Sequence, residues 1–417
     1  MSLLCLLSVG CLSWFSAIET DFTVQGTMPS DSSTSWRIPH KSDAFDALWL
    51  TMDSMQFQGN GSLSCLYIGG SHVQAGWLGH GIRKRFEDSF PSSDTIRGWL
   101  LPYRMAQTDT PTHFRTESTG KWTGMRCTHG GHVPPFGIAG IRAHTEDPAA
   151  TWQHVSIRSD STLHAAEAIE VYGDALGCIP SWLGEESLHS RQALVNGTGW
   201  LFQFEDPVDT VRFGLDIIES GAISFDLFAT TQRLMPHQDM QFTLYEWGNN
   251  GAKVSSALRC DAWASEWPLP DLDIVFLGLG INDVHAAGSS GVDDGFAHAY
   301  DSLVQRIQNM APNAALVLLS NTDSMKDGQS MRARSKQVQA IQEKIALSHG
   351  CATFDLGKAM EDIGSIMDWH DAGLAQADLI HFTPSGYDKL ADLLFSSWIE
   401  ANKNRPTSIP EPSSQER

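Results

Sequence analysis

Apolar and polar positions follow two different periods along much of the chain. Residues 63–68 form a short apolar run that ends at a Gly-Gly pair, and residues 77–90 place an apolar side chain at every fourth position. The first pattern predicts a buried strand and the second predicts a helix. The same succession recurs after residue 270, with strands predicted at 273–279, 314–319 and 352–356 and helices at 296–310, 330–348 and 385–401. Alternating strands and helices indicate a parallel sheet covered by helices.

The middle of the chain has a different pattern. Between residues 151 and 258, short β-rich runs such as 223–227 alternate apolar and polar side chains and are separated by turn residues. This alternation is typical of antiparallel sheets that bury one face. We therefore predict an all-β sandwich module at residues 148–260, inserted into an α/β domain formed by residues 43–147 and 261–401.

Both ends of the chain are expected to lie outside these domains. Residues 1–18 are apolar and uncharged, with small residues near position 17, as in a secretory signal peptide. A basic segment before the apolar run is missing, so a buried N-terminal helix is the alternative. We expect a linker at residues 19–42, a disordered tail at 402–417, and a periplasmic or secreted protein.

Charge and cysteine content narrow the function classes. The chain has 28 basic and 49 acidic residues, a net charge of −21, which disfavours binding to nucleic acid or to anionic lipid surfaces. We also expect no integral membrane span, because no interior stretch approaches 18 consecutive apolar residues. The seven cysteines are widely spaced and odd in number, so they predict neither a disulfide framework nor a zinc ribbon. One or two disulfides are compatible with the sequence if the chain is exported, and no pairing is assigned.

Three short motifs carry side chains that could perform chemistry, and each follows a predicted strand or precedes a predicted helix. Alone, each has an ordinary structural explanation: a turn with a capping serine, an asparagine cap, or a solvated loop. The motifs are Gly69-Gly70-Ser71-His72, Gly280-Ile281-Asn282-Asp283 and Asp378-Leu379-Ile380-His381.

Together the three motifs supply the parts of a serine-dependent acyl transfer site. Ser71 is the candidate nucleophile, His381 the base, Asp378 its orienting partner, and Asn282 a donor to an oxyanion. Ligands of parallel α/β sheets bind at the carboxyl ends of the strands. We therefore expect these side chains to meet there.

This set of motifs resembles the SGNH/GDSL hydrolases. The resemblance implies a flavodoxin-like, three-layer α/β hydrolase domain, here interrupted by the β-sandwich module. It implies Ser71, His381 and Asp378 as the catalytic residues, and an oxyanion hole from the Ser71 N–H, a glycine N–H and the Asn282 amide. In the segment 135–140 we expect Gly140, in preference to Gly137, to be that glycine. One departure is Gly70, which stands where the family has an aspartate that helps to hold the loop.

Among such hydrolases, the chain is most similar to exported bacterial esterases that remove O-acetyl groups from peptidoglycan or polysaccharides. The resemblance implies a serine esterase acting on an acylated carbohydrate or peptidoglycan, with no metal or other cofactor. Two alternatives stay open: an acyltransferase using the same residues, and a non-catalytic glycan-binding protein on a hydrolase scaffold.

A few further residues could bind ligands. The segment 127–132 contains Cys127, His129 and His132 and could hold a metal, but a fourth ligand at suitable spacing is missing. Aromatic side chains could stack on sugars, although such residues are more often part of a core. The aromatic candidates are Trp77, Tyr103, Trp152, Trp182, Trp200 and Trp247.

Overall fold

The computed structural model describes residues 36–39, 42–158, 161–194, 197–233, 240–260, 271–288 and 291–405. Within these ranges the strands are β1 (Gly61–Gly69), β2 (Ser93–Arg97), β3 (Trp99–Leu100), β4 (Phe114–Thr119), β5 (Thr123–Arg126), β6 (Ile141–Thr145), β7 (Thr151–Ser156), β8 (Ala166–Leu176), β9 (Cys178–Trp182), β10 (Leu188–Ala193), β11 (Gly199–Val208), β12 (Thr210–Ile217), β13 (Ser224–Arg233), β14 (Met240–Gly248), β15 (Ile274–Gly278), β16 (Ala315–Leu319), β17 (Met325–Lys326), β18 (Gln329–Ser330) and β19 (Ala352–Phe354).

The helices of the same ranges are α1 (Asp43–Asp53), α2 (Ser71–Gln74), α3 (Trp77–Ser89), α4 (Val254–Leu258), α5 (Ile281–Ala286), α6 (Asp294–Met310), α7 (Arg332–His349), α8 (Leu356–Ala359), α9 (Ile366–Asp371) and α10 (Pro384–Lys403). A π-helical turn, Ser54–Gln58, extends α1, and a 3-10 turn, Met360–Asp362, extends α8. None of the described helices is both long and apolar enough to cross a membrane.

Six strands form a wholly parallel sheet in the order β19-β16-β15-β1-β14-β2. Successive side chains of a strand point to opposite faces. Leu66 and Ile68 of β1 therefore pack with α6 and α7, whereas Cys65 and Tyr67 pack with α1, α3 and α10. Helices on both faces of a parallel sheet make the three-layer α/β fold, and the predicted fold class is confirmed.

The antiparallel part of the molecule consists of two packed sheets. One has the order β10-β11-β8-β13-β6-β5, with β3 also paired to β13, and the other has the order β4-β7-β12-β9. Trp152 of the second sheet is fully buried and stacks on Phe225 of the first, with ring centroids 5.3 Å apart. The hydrophobic core of this sandwich is continuous with the core on one face of the parallel sheet.

Sheet membership differs from the predicted module boundaries of 148 and 260. Strands β3 to β6 lie before residue 148 but belong to the antiparallel sheets, and β14 lies within the predicted module but pairs with β1 in parallel. The alternation of apolar and polar residues in β14 fits an antiparallel strand as well as a parallel one. Its partners, β1 and β2, are distant in the sequence, so the local pattern does not distinguish the two kinds of pairing. The sandwich strands therefore span residues 99–233. Its division from the hydrolase part as a separate domain stays a prediction.

The predicted linker and tail also differ in part from the structure. Trp36 is 6% exposed and donates its indole N–H to Ser397 Oγ at 2.9 Å, so the end of the expected linker is packed into the α/β part. Helix α10 continues to Lys403, past the predicted tail boundary. The expected signal peptide, residues 1–18, lies outside the described residues. None of the five described cysteines forms a disulfide.

Candidate active site

Ser71 begins helix α2 directly after β1. The backbone must turn sharply here, and both preceding glycines are in close contact with neighbours. A Cβ on Gly69 would lie 2.5 Å from Val73 Cγ2, and a Cβ on Gly70 would lie 3.0 Å from Asn282 Nδ2. The Gly70 carbonyl accepts from the backbone N–H groups of Val73 and Gln74. The turn is thus held without the aspartate that the family has at position 70.

The side chains of Ser71, His381 and Asp378 form one hydrogen-bonded chain. Ser71 Oγ lies 2.8 Å from His381 Nε2, and His381 Nδ1 lies 2.6 Å from Asp378 Oδ2. Such a chain is the geometry in which an imidazole accepts a serine proton while a carboxylate fixes its tautomer. The structure therefore brings together the three side chains that the sequence predicted to meet.

Asp378 is fixed by its own loop as well as by the imidazole. Its Oδ1 accepts from the N–H groups of Ile380 and His381 at 3.0 and 2.9 Å, across Leu379 in a left-handed conformation with φ 55°. Burial on its own would raise the pKa of Asp378, but the hydrogen bonds from His381 and Ile380 outweigh it and lower the pKa. The carboxylate is thus held ionised and pointed at Nδ1.

His381 is positioned by a loop that is tied at both ends. Gln376 N donates to the His381 carbonyl at 2.8 Å, and Gln376 Nε2 donates to the Phe382 carbonyl at 3.0 Å. Two residues later, Thr383 caps helix α10 by accepting from Gly386 N, and Pro384 occupies the first turn. Asp378 and His381, from one loop, therefore meet the distant Ser71 with little freedom.

His72 lies behind the imidazole of His381. The two ring centroids are 5.5 Å apart, and His72 Nδ1 is 3.0 Å from the Tyr387 hydroxyl. Burial and the neighbouring His381 lower the pKa of His72 to about 3, so its ring is neutral near pH 7. Sequence reasoning quoted His72 only as part of a motif and missed this contact.

Asn282 is the second residue of α5, which starts directly after β15 and the Gly278-Leu279-Gly280 turn. One hydrogen of its amide donates to the Ala252 carbonyl at 2.9 Å. That bond fixes the amide beside Gly70, and the second hydrogen of the same group is available to a ligand. Asn282 is therefore placed as an oxyanion donor would be.

Gly140 lies away from this pocket. It precedes β6, its carbonyl accepts from Cys127 N, and a Cβ there would meet Cys127 Sγ at 2.8 Å and Trp247 Cζ2 at 3.1 Å. Among the described residues that line the pocket, the glycine is Gly251, in the turn after β14. The sequence analysis assigns β14 to the sandwich. For that reason it misses the turn after β14, although β14 lies next to β1 in the parallel sheet.

The N–H of Gly251 is also the available donor of its turn. The N–H groups of Asn249, Asn250 and Ala252 donate to Gly69 O, Gln74 Oε1 and Asn249 O respectively. In the described part of the chain, no such partner is seen for the N–H of Gly251. A donor without a protein partner at the carboxyl edge of the sheet suits a developing negative charge.

Gln74 joins the two loops that flank the serine. This residue is 2% exposed, and its Nε2 donates to Thr108 Oγ1 and to the Asp109 carbonyl while its Oε1 accepts from Asn250 N. Both hydrogens of its amide group and its amide oxygen are engaged in these bonds. The Asp109 and Asn250 side chains are also bonded to each other, at 2.8 Å.

The Ser71 hydroxyl opens into a pocket of about 720 Å³. Its lining is a mixture of apolar and polar groups: Ser71, Gln74, Ala75, Trp77, Asp109, Thr110, Thr112, Asn250, Gly251, Ile281, Asn282, His285, Gln376, Ile380, His381, Phe382, Pro384 and Tyr387. The pocket lies beyond the carboxyl end of β1 and of its two neighbours, β14 and β15, as expected for an open α/β sheet.

The other candidate residues are distributed differently. Trp77 lines the pocket, whereas Tyr103, Trp152 and Trp247 are buried core residues. Trp182 and Trp200 pack against the sandwich core. The structure therefore favours the core interpretation for the tryptophans of β7, β9, β11 and β14.

The segment 127–132 forms a tied loop. Arg259 Nη1 donates to the carbonyls of Cys127 and His129, at 2.6 and 3.0 Å, and the rings of His129 and His132 stack 4.0 Å apart. Within the described ranges, no three His, Cys, Asp or Glu side chains are grouped as metal ligands would be.

Comparison with known proteins defines the class. Residues 230–389 match the model of the GDSL-like Lipase/Acylhydrolase family, a region that includes Asn282, Asp378 and His381. A peptidoglycan O-acetylesterase structure is similar to this chain with a TM-score of 0.65 and 20% identity, over 87% of this chain and 98% of that chain. No curated protein matches the sequence.

Two further solved structures cover a smaller part of the chain. An acetylxylan esterase from Geobacillus stearothermophilus has a TM-score of 0.31 and 19% identity, over 39% of this chain and 73% of that chain. A phospholipase A1 from Streptomyces albidoflavus has a TM-score of 0.30 and 19% identity, over 38% and 80%.

The family match and the three-layer fold together define a carboxylic ester hydrolase. Over residues 230–389 the chain is similar to the GDSL-like lipases and acylhydrolases, in agreement with the family that its sequence motifs resemble.

Proposed function

We propose that this protein is a serine esterase that removes acyl groups, and O-acetyl groups in particular, from a carbohydrate or peptidoglycan. The observation that carries the proposal is the Ser71–His381–Asp378 hydrogen-bonded chain at a pocket that also contains Asn282 and Gly251. These groups supply a nucleophile, a base, an orienting carboxylate and oxyanion donors.

The first half of the reaction forms an acyl-enzyme. Neutral His381 accepts the Ser71 proton at Nε2 while Oγ attacks the ester carbonyl carbon. The oxygen that becomes negative is stabilised by the N–H groups of Ser71 and Gly251 and by the Asn282 amide; Gly251 replaces Gly140 in this role. When the carbon–oxygen bond to the leaving alcohol breaks, His381 returns the proton to that oxygen. Ionised Asp378 stabilises the transient imidazolium.

The second half releases the acid. Water donates a proton to His381 and attacks the acyl-enzyme carbonyl through the same oxyanion site. Collapse of that intermediate returns the proton to Ser71 Oγ and frees the carboxylic acid. An alcohol in place of this water would give acyl transfer, and product analysis with a sugar acceptor separates the two outcomes.

The proposed substrate class has two supports. The pocket rim carries Asp109, Asn250 and Gln376, which can bond to sugar hydroxyls, and Trp77, on which a sugar ring can stack. One solved structure that shares this fold over most of both chains is described as a peptidoglycan O-acetylesterase. Acetylated glycans are therefore the first substrates to test.

The test compares acetate release by the parent and by Ser71→Ala, from p-nitrophenyl acetate, acetylated xylan and O-acetylated peptidoglycan. We expect Ser71→Ala to lose activity by at least about a thousandfold. Ser62→Ala, an exposed serine of the same strand β1, is the matched control and should act like the parent. Activity that survives in Ser71→Ala would refute the assignment of the nucleophile.

We also propose export, on the basis of the apolar, uncharged residues 1–18. Expression in a bacterium followed by mass spectrometry of the N-terminus is the test. A mature protein shortened near residue 18 in the periplasm or medium supports export, and an intact N-terminus in the cytoplasm contradicts it.

A further inference from the structure

His285 lies on the pocket wall one helical turn after Asn282. Both residues belong to α5, and both line the pocket with Ser71 and His381. Residues three apart on a helix share a face. The ring of His285 therefore extends the pocket wall that starts at the proposed oxyanion donor.

One ring nitrogen of His285 is fixed by the protein. Nε2 lies 2.9 Å from the hydroxyl of Ser324, which is fully buried, and Lys326 Nζ donates to the carbonyl of His285. These bonds hold both the ring and the end of the short helix. For Nδ1, no hydrogen bond to a described residue is seen.

The ring is also uncharged near neutral pH. Burial, followed by the positive charge of Lys326 and by His381, lowers the pKa of His285. A neutral imidazole offers one donor and one acceptor, and which nitrogen donates depends on the direction of the Ser324 bond. A hydroxyl group both donates and accepts, so it can bind Nδ1 in either tautomer.

We propose that His285 binds a hydroxyl group of the sugar that carries the ester, through Nδ1, and so determines specificity for a saccharide leaving group. This rests on the proposed function of the same pocket. The residue takes no part in the chemical step, because Ser71, His381 and the oxyanion donors are complete without it. Its contribution belongs to binding of the sugar.

The experiment compares two kinds of ester in His285→Ala. On acetylated xylan and O-acetylated peptidoglycan, whichever the parent hydrolyses better, we expect kcat/KM to fall about tenfold, mainly through KM, as for loss of one hydrogen bond. On p-nitrophenyl acetate, whose leaving group has no hydroxyl in the free positions of the ring, kcat/KM should change less than twofold. His285→Gln, which keeps a donor and an acceptor, should restore part of the glycan activity.

His298→Ala, at an exposed histidine of α6 that does not line the pocket, is the matched control. An equal loss on both kinds of ester would overturn the proposal, since it would indicate a structural or general catalytic role. Unchanged glycan activity would also overturn it. A parent that cleaves p-nitrophenyl acetate through Ser71 but releases no acetate from either glycan would refute the sugar contact while leaving the esterase intact. Parent inactivity on every ester would instead reject the proposed function itself, and with it this inference.

Discussion

At the scale of single residues, Gly70 and Asn282 depend on each other. The Cα of Gly70 faces the Asn282 amide so closely that a Cβ would lie 3.0 Å from Nδ2. That distance is tighter than ordinary van der Waals contact, and the amide is already fixed on its other side by the Ala252 carbonyl. In this chain, a Cβ at position 70 therefore requires the proposed oxyanion donor to shift by about a few tenths of an ångström.

We expect Gly70→Ala to lower kcat by about tenfold or more, since loss of one oxyanion donor costs about a hundredfold or more. The melting temperature should change little, because the Gly70 carbonyl still accepts from the N–H groups of Val73 and Gln74. Gly288→Ala is the control, at a position where a Cβ meets nothing within 4 Å. Steady-state kinetics with p-nitrophenyl acetate measures the effect, and a kcat equal to that of Gly288→Ala would contradict it.

Asp378→Asn tests the orienting carboxylate. The amide oxygen can still accept from the loop N–H groups, but an amide N–H facing Nδ1 favours the wrong tautomer of His381. We expect kcat to fall by about a thousandfold or more while circular dichroism melting is nearly unchanged. Retention of a tenth of the parent activity would show that Asp378 is dispensable.

At the scale of elements, a buried ion cluster joins α3, β2 and β14. Glu246 Oε2 is 3.1 Å from both Arg83 and Arg97, and all three side chains are less than 10% exposed. Arg97 also donates to the Thr112 carbonyl, in the loop that lines the pocket. Burial lowers the pKa of Arg83 to about 10 against the opposing effect of Glu246, so the Arg83 guanidinium group is charged at neutral pH.

Replacing Glu246 by Gln removes the carboxylate that the two buried guanidinium groups share. We expect a loss of about 3 kcal/mol in the free energy of unfolding, measured by urea denaturation. Asp88→Asn breaks the exposed Lys84–Asp88 pair and should cost less than about 0.5 kcal/mol. Similar losses of unfolding free energy in the two variants would mean that the buried cluster stabilises the protein no more than an exposed ion pair does.

Elements with a local signature were predictable from the sequence, and those defined by distant pairing were not. The apolar run of β1 and the helical spacing of α3 identify these elements without knowledge of their partners. Strand β2 has the sequence SDTIR, which carries almost no apolar pattern, and it is a strand because β14 pairs with it. The same distant pairing hid Gly251, whereas Ser71, Asn282, Asp378 and His381 lie in recognisable motifs.

At the scale of the whole molecule, buried neutral histidines couple stability to pH. His154 is fully buried between the sandwich sheets, with Nδ1 2.9 Å from Thr230 Oγ1, and burial lowers its pKa to about 3. In the unfolded chain the same group binds a proton near pH 6.5. Between these values the unfolded state holds more protons, so the stability is complete above about pH 6.5 and decreases as the pH falls towards 3.

We expect the parent to lose up to about 1.4 kcal/mol per pH unit more than His154→Gln between about pH 6 and pH 4. Urea denaturation at several pH values gives the two slopes. His298→Gln, at an exposed site, should keep the parent slope. If the free energy of unfolding depends on pH in the same way in the parent and in His154→Gln, His154 binds its proton equally in the folded and unfolded states, which contradicts the prediction.

The position of β14 sets the order in which the protein can be completed during synthesis. This strand pairs with β1 on one side and with β2 on the other, yet it is translated after all the sandwich strands. Until residue 248 has left the ribosome, β1 and β2 have no strand between them, and the turn that carries Gly251 does not exist. The edges of β1 and β2 that β14 covers in the folded protein therefore stay without this partner until the whole sandwich has been synthesised. The sandwich can complete its own strand pairing first, and the chain that follows its last strand then supplies the strand that lies between β1 and β2.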